Sequence, residues 1–345
     1  SYNQADLDLL LASGEIVWVG RGAAGTKDGK ISMFLRDHVP LLLERANPDV
    51  PSGEIHHSLR AHLSSRGASF FQDLYIAAGG GDPQAVVAAL WDMVWSGEIT
   101  NDTLAPLRAF VGARGKAKST RGRMSSSVPP AGSGRWYLVA DLDNADPGPA
   151  PEQRAKAIAE QLLERHGVVT RPAVLAEDIR GGFAGLYPVF ATMEDAGAVR
   201  RGYFIESLGG AQFGLPGAID RLRDARGTGV VVLAAADPAN PYGAVLPWPG
   251  HESGSPSRRA GAYIILADGQ LVGFAERGGR ALLTFTDATD AIVTGLIDMS
   301  QRARKRSLTL AKVDGESVHS SALSEALLAA GFATGYKGLT YRPGR

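Results

Sequence analysis

Cysteine is absent from this chain of 345 residues, so disulfide bonds and thiolate zinc sites are excluded. A chain without cysteine fits a reducing compartment, and we expect a cytoplasmic location. No apolar run approaches the roughly 18 residues that a membrane-spanning helix needs, and no signal peptide is visible. The sequence begins with Ser1 rather than Met, and we expect it to be a piece of a larger polypeptide.

An excess of charge of either sign is also lacking, because 36 Lys and Arg residues balance 36 Asp and Glu residues. Nucleic-acid binding by a neutral chain has to rely on local basic clusters. Acidic residues are absent from 103–140, and the stretch 114–134 is predicted to be a basic Gly/Ser/Pro linker. It is either a solvated connection or an arm that follows phosphates. Its candidate DNA-binding residues are Arg114, Lys116, Lys118, Arg121 and Arg123.

A repeat of 100 residues dominates the first two thirds of the chain. Gly67 and Gly97 recur as Gly167 and Gly197, each at the end of a predicted helix. In both copies a β-branched run follows the second helix, which is the element order of a winged helix. A third copy of the closing half occurs at 12–17. The repeat therefore predicts tandem winged-helix modules.

The sequence changes character after residue 228. Alternating strands with hairpin turns at 268–269 and 277–280 precede two further helices. We therefore predict an α+β protein in which tandem winged-helix modules are followed by a small β-barrel-like α+β domain. The predicted divisions are the C-terminal part of a winged-helix module at 1–46, a winged-helix module at 47–113, the linker at 114–134, a winged-helix module at 135–227 and the β-barrel-like domain at 228–345.

Further candidates for DNA contact lie at predicted turns and in a proline-rich segment. Arg200 and Arg201 are near the tight end of a predicted wing, where winged helices commonly meet a phosphate backbone. Exposed wing arginines also occur without any partner. Arg277 and Arg280 flank a predicted turn. Trp248 either stacks on a nucleobase or packs its loop onto the barrel.

Two segments resemble motifs for nucleotide binding or catalysis, but each match is incomplete. Residues 20–25 spell G-x-G-x-x-G, and residues 20–27 nearly match a P-loop. A strand is predicted, however, where a helix has to present amides to a phosphate. Residues 250–254 resemble a nucleophile elbow with Glu252 in the place of the serine. The seven histidines show no spacing typical of a metal site. We assign no catalytic residue, metal or cofactor to this chain.

Several longer strings carry a family resemblance. They are residues 14–20, 101–108, 236–243, 246–249, 261–263 and 274–280. Through them nearly the full chain resembles the C-terminal region of bacterial large helicase-related (Lhr) proteins. The resemblance implies an ATP-dependent 3′-to-5′ DNA translocase and helicase of DNA repair, whose motor precedes this region and uses ATP and Mg²⁺. It also implies self-association into a homo-oligomer, for which a tetramer is one option.

The C-terminal part of Lhr proteins is in turn similar to AlkZ-class DNA glycosylases, which combine tandem winged helices with a β-barrel. That class uses a Gln-x-Gln or Gln-x-Asp pair ahead of its winged helices. The only such spacing here is at 4–6, at the start of a predicted helix in a truncated module, and we interpret it as coincidence. Asp237 and Glu276 are other acids that could stabilise an oxocarbenium-like transition state, with no sequence reason to choose either.

Three functions follow from this reading. The first is a non-catalytic module that binds DNA, single-stranded or with a single-stranded tail, and assembles the parent helicase into homo-oligomers. The second is a DNA glycosylase that removes uracil or damaged bases. The third is a protein scaffold in which the apolar faces of 86–94 and 186–193 are buried against another subunit. No membrane partner is expected.

Overall fold

The computed structural model describes residues 4–26, 28–43, 50–112, 128–142, 148–227, 229–302 and 307–343. The helices in these ranges are α1 Gln4–Ala12, α2 Val39–Leu42, α3 Glu54–Arg66, α4 Phe71–Ala77, α5 Pro83–Trp95, α6 Ala105–Gly112, α7 Pro151–His166, α8 Arg171–Ala176, α9 Gly182–Asp195, α10 Pro216–Asp224, α11 Thr289–Arg302 and α12 Ser324–Ala329. The strands of the first two thirds are β1 Ile16–Ala23, β2 Gly29–Leu35, β3 Ser69–Phe70, β4 Ile99–Asn101, β5 Arg135–Leu138, β6 Val168–Val169, β7 Arg200–Gly202 and β8 Gln212–Gly214.

The remaining strands are β9 Val230–Ala234, β10 Tyr263–Ala267, β11 Gln270–Ala275, β12 Ala281–Thr284, β13 Leu308–Leu310, β14 Lys312–Val313, β15 Glu316–Ser317, β16 Ala333–Gly335 and β17 Gly338–Tyr341. The chain divides into two compact units, Ser1–Ile158 and Ala159–Arg345, and each is described by itself.

The repeat read from the sequence is present in the fold. One copy runs α3, β3, α4, α5, β4 and β5, and the other runs α7, β6, α8, α9, β7 and β8. The strands of each copy form a three-stranded sheet with its last strand in the centre. The glycines that mark the repeat have left-handed φ angles, 72° at Gly67 and 68° at Gly167. Only glycine adopts a positive φ of this kind without strain, which explains why glycine recurs at these positions. The prediction of tandem winged-helix modules is confirmed.

The boundary predicted after residue 134 is wrong. Strand β5 pairs with both β3 and β4, so residues 135–138 complete the sheet of the first copy instead of opening the second. Trp136 in this strand is fully buried, and its indole donates a hydrogen bond of 2.9 Å to the Gly132 carbonyl. The alternation of apolar and polar residues predicts a strand but not the strands with which it pairs. For this reason β5 was assigned to the wrong module. In the chain, the predicted linker thus falls between two strands of one wing.

A β-hairpin from the N-terminal module packs on helix α5. Strands β1 and β2 pair in an antiparallel hairpin over 16–35. This agrees with the prediction of a second strand, and not of a phosphate-binding helix, after the glycine-rich motif. A Cβ atom at Gly20 would lie 2.0 Å from the Val94 carbonyl oxygen, so only glycine permits this approach. The Thr100 hydroxyl donates a hydrogen bond to the Trp18 carbonyl, and the rings of Trp18 and Trp91 are stacked. The hairpin and α5 therefore share one hydrophobic core.

The C-terminal part of the second unit is built on a six-stranded sheet in the order β15-β14-β12-β11-β10-β9. Helix α11 covers one face through a core that includes Ile292 and Leu296. The opposite face, around Ile264 and Phe274, is covered by the proline-rich loop that carries Trp248. A second sheet has the order β13-β17-β16. These pairings do not close into a ring among the described residues, so the barrel shape stays a prediction.

Candidate nucleic-acid interface

Helix α5 occupies the position of a recognition helix in the first winged-helix copy, yet it is a core element. Val86, Leu90, Met93 and Val94 are fully buried within this unit. The face of 86–94 is therefore covered by the chain itself, and the scaffold hypothesis is wrong in expecting another subunit there. The β1–β2 hairpin also packs on this helix, so less of α5 than of α9 is exposed.

Helix α9, its counterpart in the second copy, is far more exposed. Leu186 and Phe190 are buried, and the Phe190 ring stacks on Phe213 at 5.1 Å between ring centroids. The exposed positions are Ala184, Gly185, Tyr187, Pro188, Thr192 and Asp195. None of them is a lysine, arginine, asparagine or glutamine, the side chains that most often read base edges in the major groove. This exposed face is thus poorly suited to base-specific contact.

The two arginines of the wing beside α9 are exposed but already have partners. The Arg200 side chain is 53% exposed and lies 3.7 Å from an Asp220 oxygen. Arg201 is 47% exposed, lies 3.2 Å from a Glu194 oxygen and donates a hydrogen bond of 2.9 Å to the Tyr187 hydroxyl. That hydrogen bond and the charge of Glu194 raise the pKa of Arg201. Contact with a phosphate has to compete with these carboxylates.

A basic cluster lies at one end of the six-stranded sheet. Arg277 and Arg280 are exposed in the turn between β11 and β12. The amide groups of Ala311 and Lys312 both donate to the Arg280 carbonyl, at 2.8 and 3.0 Å, which places exposed Lys312 beside it.

A further arginine extends this sheet-end cluster. The Arg277 side chain runs along Gly261, where an added Cβ atom would be 3.1 Å from the Arg277 Cγ. The Arg259 carbonyl accepts a hydrogen bond from the Ala262 amide, so exposed Arg259 lies in the neighbouring turn. The sequence alone did not identify Arg259 or Lys312 as candidates. Lys312 reaches this end only because β14 pairs in parallel with β12, a non-consecutive strand.

Trp248 packs its loop onto the sheet. Its ring stacks on Tyr242 at 6.0 Å and meets Phe274 edge-on at 5.7 Å. A Cβ atom at Gly243 would lie 2.1 Å from the indole nitrogen, so the loop follows the ring closely. These contacts favour the packing alternative over stacking on a nucleobase.

The other residues singled out from the sequence lie in turns or outside the described residues. Asp237 accepts a hydrogen bond of 2.8 Å from the Ala239 amide in a turn, and Glu276 is exposed beside the sheet-end turn. Arg114, Lys116, Lys118, Arg121 and Arg123 lie outside the described residues, and their DNA contact stays a prediction. Within the described ranges, no group of three or more potential metal ligands is found. Among the helices described, none is long and apolar enough to cross a membrane.

Comparison with protein families gives two matches. Both are to models described as the winged-helix domain of large helicase-related protein, at residues 1–36 and 148–231. The second match begins after β5, in agreement with the corrected module boundary.

Two bacterial relatives align with almost the whole chain. An Lhr helicase/probable uracil glycosylase of Mycolicibacterium smegmatis is 39% identical over 99% of this chain and 25% of its own length. An Lhr helicase/uracil glycosylase of Escherichia coli K12 is 32% identical over 99% of this chain and 24% of its own length. The chain therefore spans about a quarter of the length of these relatives. The DNA glycosylase AlkZ of Streptomyces sahachiroi is a structural neighbour with a TM-score of 0.49 and 15% identity, covering 87% of this chain and 82% of AlkZ.

Proposed function

Because this chain resembles large helicase-related proteins along 99% of its length, we propose that it is a DNA-binding region of such a helicase. The alignment with the M. smegmatis helicase is the observation that carries this proposal. The two winged-helix matches support it, since this fold commonly binds DNA. The ATP-driven motor belongs, in this proposal, to the part of the parent protein outside this chain.

The proposed contact is to the phosphate backbone rather than to bases. Exposed α9 residues offer no side chains suited to base readout, whereas the sheet end presents Arg259, Arg277, Arg280 and Lys312. Cations that neutralise phosphates give salt-dependent and sequence-independent affinity. We therefore expect binding to single-stranded DNA, or to DNA with a single-stranded tail, without strong sequence preference.

Variants of the sheet-end cluster test this proposal. The double variant Arg277→Ala/Arg280→Ala is expected to weaken binding of a fluorescein-labelled single strand and to lower the magnitude of the salt slope by about 0.7 per lost phosphate contact. Fluorescence anisotropy measures both quantities. Arg200→Ala/Arg201→Ala is expected to have a smaller effect, because both arginines are paired with carboxylates.

The matched control is Arg66→Ala, which removes an exposed arginine from α3 in the other unit. It is expected to leave affinity and slope unchanged. Equal losses of DNA affinity in the control and in the sheet-end variant would mean that affinity depends on net charge alone. That result would contradict the proposed binding surface.

Homo-oligomer assembly of the parent helicase is the second part of this proposal. We propose the exposed face of α9, which includes Tyr187 and Pro188, as a surface that meets another subunit. Sedimentation velocity should show a concentration-dependent oligomer. A monomer at every concentration would remove both this role and the scaffold alternative.

Base excision is a second candidate function, favoured by the names of the two relatives, which both include uracil glycosylase. It predicts that the chain forms abasic sites in uracil-containing DNA. Alkali treatment converts such sites into strand breaks that a sequencing gel resolves. Intact strands after alkali, with a uracil glycosylase as positive control, would remove this candidate.

A further inference from the structure

The hairpin formed by β16 and β17 places a tyrosine in solvent. Gly335 pairs with Gly338, so the turn between the two strands consists of Tyr336 and Lys337 alone. The Tyr336 side chain is fully exposed, more so than any other large apolar or aromatic side chain among the described residues. Because this ring lies outside the hydrophobic core of its domain, replacing it leaves the packing of that core intact.

The base of this hairpin is held against the neighbouring strand. Gly338 is buried and has a φ angle of 123°, a conformation that favours glycine. A Cβ atom at this position would lie 2.0 Å from the Leu310 carbonyl oxygen, so only glycine permits the contact. Strand β17 also pairs with β13 at Leu339 and Leu310. The turn that carries Tyr336 therefore projects from a backbone fixed on β13.

The same contact places the turn next to the sheet-end cluster. An added Cβ atom at Gly338 would also lie 2.8 Å from the Ala311 Cα, and the Ala311 amide donates to the Arg280 carbonyl at 2.8 Å. Exposed Lys312 follows directly in the chain. Tyr336 is two residues from Gly338, a span of at most about 7 Å. The exposed ring and these two cations therefore lie at the same end of the domain.

We propose that Tyr336 stacks on an unpaired base of a single strand whose phosphates contact the sheet-end cluster. Proteins that bind single strands combine a cationic surface with aromatic side chains on which bases stack. Trp248 is not available for this role, because it is packed between Tyr242 and Phe274. Stacking is compatible with binding that does not depend on sequence, since every base has a π-face. The inference rests on the proposed DNA binding and identifies a residue that holds the strand in its unpaired form.

The variant Tyr336→Ala tests the proposal in an anisotropy titration of a fluorescein-labelled single strand. Loss of one stack between a base and an aromatic ring should weaken binding by about 5-fold or more. The salt slope should stay unchanged, because the tyrosine side chain is uncharged at neutral pH. Arg277→Ala/Arg280→Ala, in contrast, should change both quantities. Tyr336→Phe keeps the aromatic ring and is expected to bind like the unsubstituted protein.

Two controls separate stacking from other effects of the substitution. A strand of abasic nucleotides has phosphates but no bases, and Tyr336→Ala should bind it as well as the unsubstituted protein does. The matched control variant is Tyr203→Ala, because Tyr203 is also highly exposed but lies between β7 and β8 in the wing. It is expected to leave the affinity for both strands unchanged.

The outcomes distinguish the stacking from the DNA binding on which it rests. Undiminished affinity of Tyr336→Ala for the strand with bases, while Arg277→Ala/Arg280→Ala binds more weakly, would overturn only the stacking. An equal loss of affinity on the abasic strand, or in Tyr203→Ala, would overturn it as well. Absence of DNA binding by the unsubstituted protein would defeat both the stacking and the proposed function.

Discussion

At the scale of single residues, some structural roles could be predicted from the sequence and others could not. Glycines that end helices recur at a fixed spacing in the sequence, and Gly67 and Gly167 indeed have positive φ angles. No sequence pattern indicates the close approach of Gly20 to the Val94 carbonyl, because that contact depends on a residue 74 positions away. Local backbone requirements were therefore predictable, whereas long-range contacts had to be observed.

Glu177 is the residue whose ionisation is most clearly tied to the fold. Burial raises its pKa, but hydrogen bonds from His166 and Arg165 outweigh burial and leave the pKa below its ordinary value. A lowered folded-state pKa gives stability that is present above the unfolded pKa of about 4.3 and is lost as pH falls through the folded value.

Glu177→Gln should therefore lower the free energy of unfolding at pH 7 by roughly 1–3 kcal/mol, the contribution of hydrogen bonds to a charged group. The difference from the unsubstituted protein should shrink as pH falls from the unfolded pKa through the lower folded pKa of Glu177, where the folded carboxylate becomes protonated. Urea unfolding at several pH values measures it. Glu325→Gln, at an exposed position on α12, is the control, and a pH-independent difference for Glu177→Gln would contradict the assignment.

At the scale of elements, the order of helices and strands was predictable and their pairing was not. Helix α5 begins at an N-cap, where the Asp82 side chain accepts from the Gln84 amide at 2.9 Å, and at Pro83. Both signals are local. That this apolar helix is buried by the β1–β2 hairpin, and that β5 joins β3 and β4, depends on chain segments far apart.

The hairpin contact on α5 predicts a steric effect. Gly20→Ala should destabilise the protein by roughly 1–3 kcal/mol, because the new methyl group meets a backbone carbonyl that cannot move aside. Differential scanning calorimetry should show a lower midpoint for the transition of the unit that contains residue 20. Gly112→Ala, with open space around its Cβ, is the control. An unchanged midpoint for Gly20→Ala would mean that the hairpin does not pack on α5 as described.

On the scale of the whole molecule, zero net charge does not exclude a local basic surface. The chain carries 36 basic and 36 acidic residues, and four exposed cations lie at one sheet end, while the two wing arginines are paired with carboxylates. The sequence predicted Arg277 and Arg280 as candidates from their turn. It could not show that Arg259 and Lys312 join them, because that depends on how the sheet is assembled.

The salt dependence of DNA binding tests the central claim most directly. A log–log plot of affinity for a labelled single strand against salt concentration should be linear. Its slope should be about −3 if each of the four sheet-end cations contacts one phosphate. The slope should not depend on the sequence of the strand. Binding that is absent at low salt, or affinity that does not change with salt, would contradict the account.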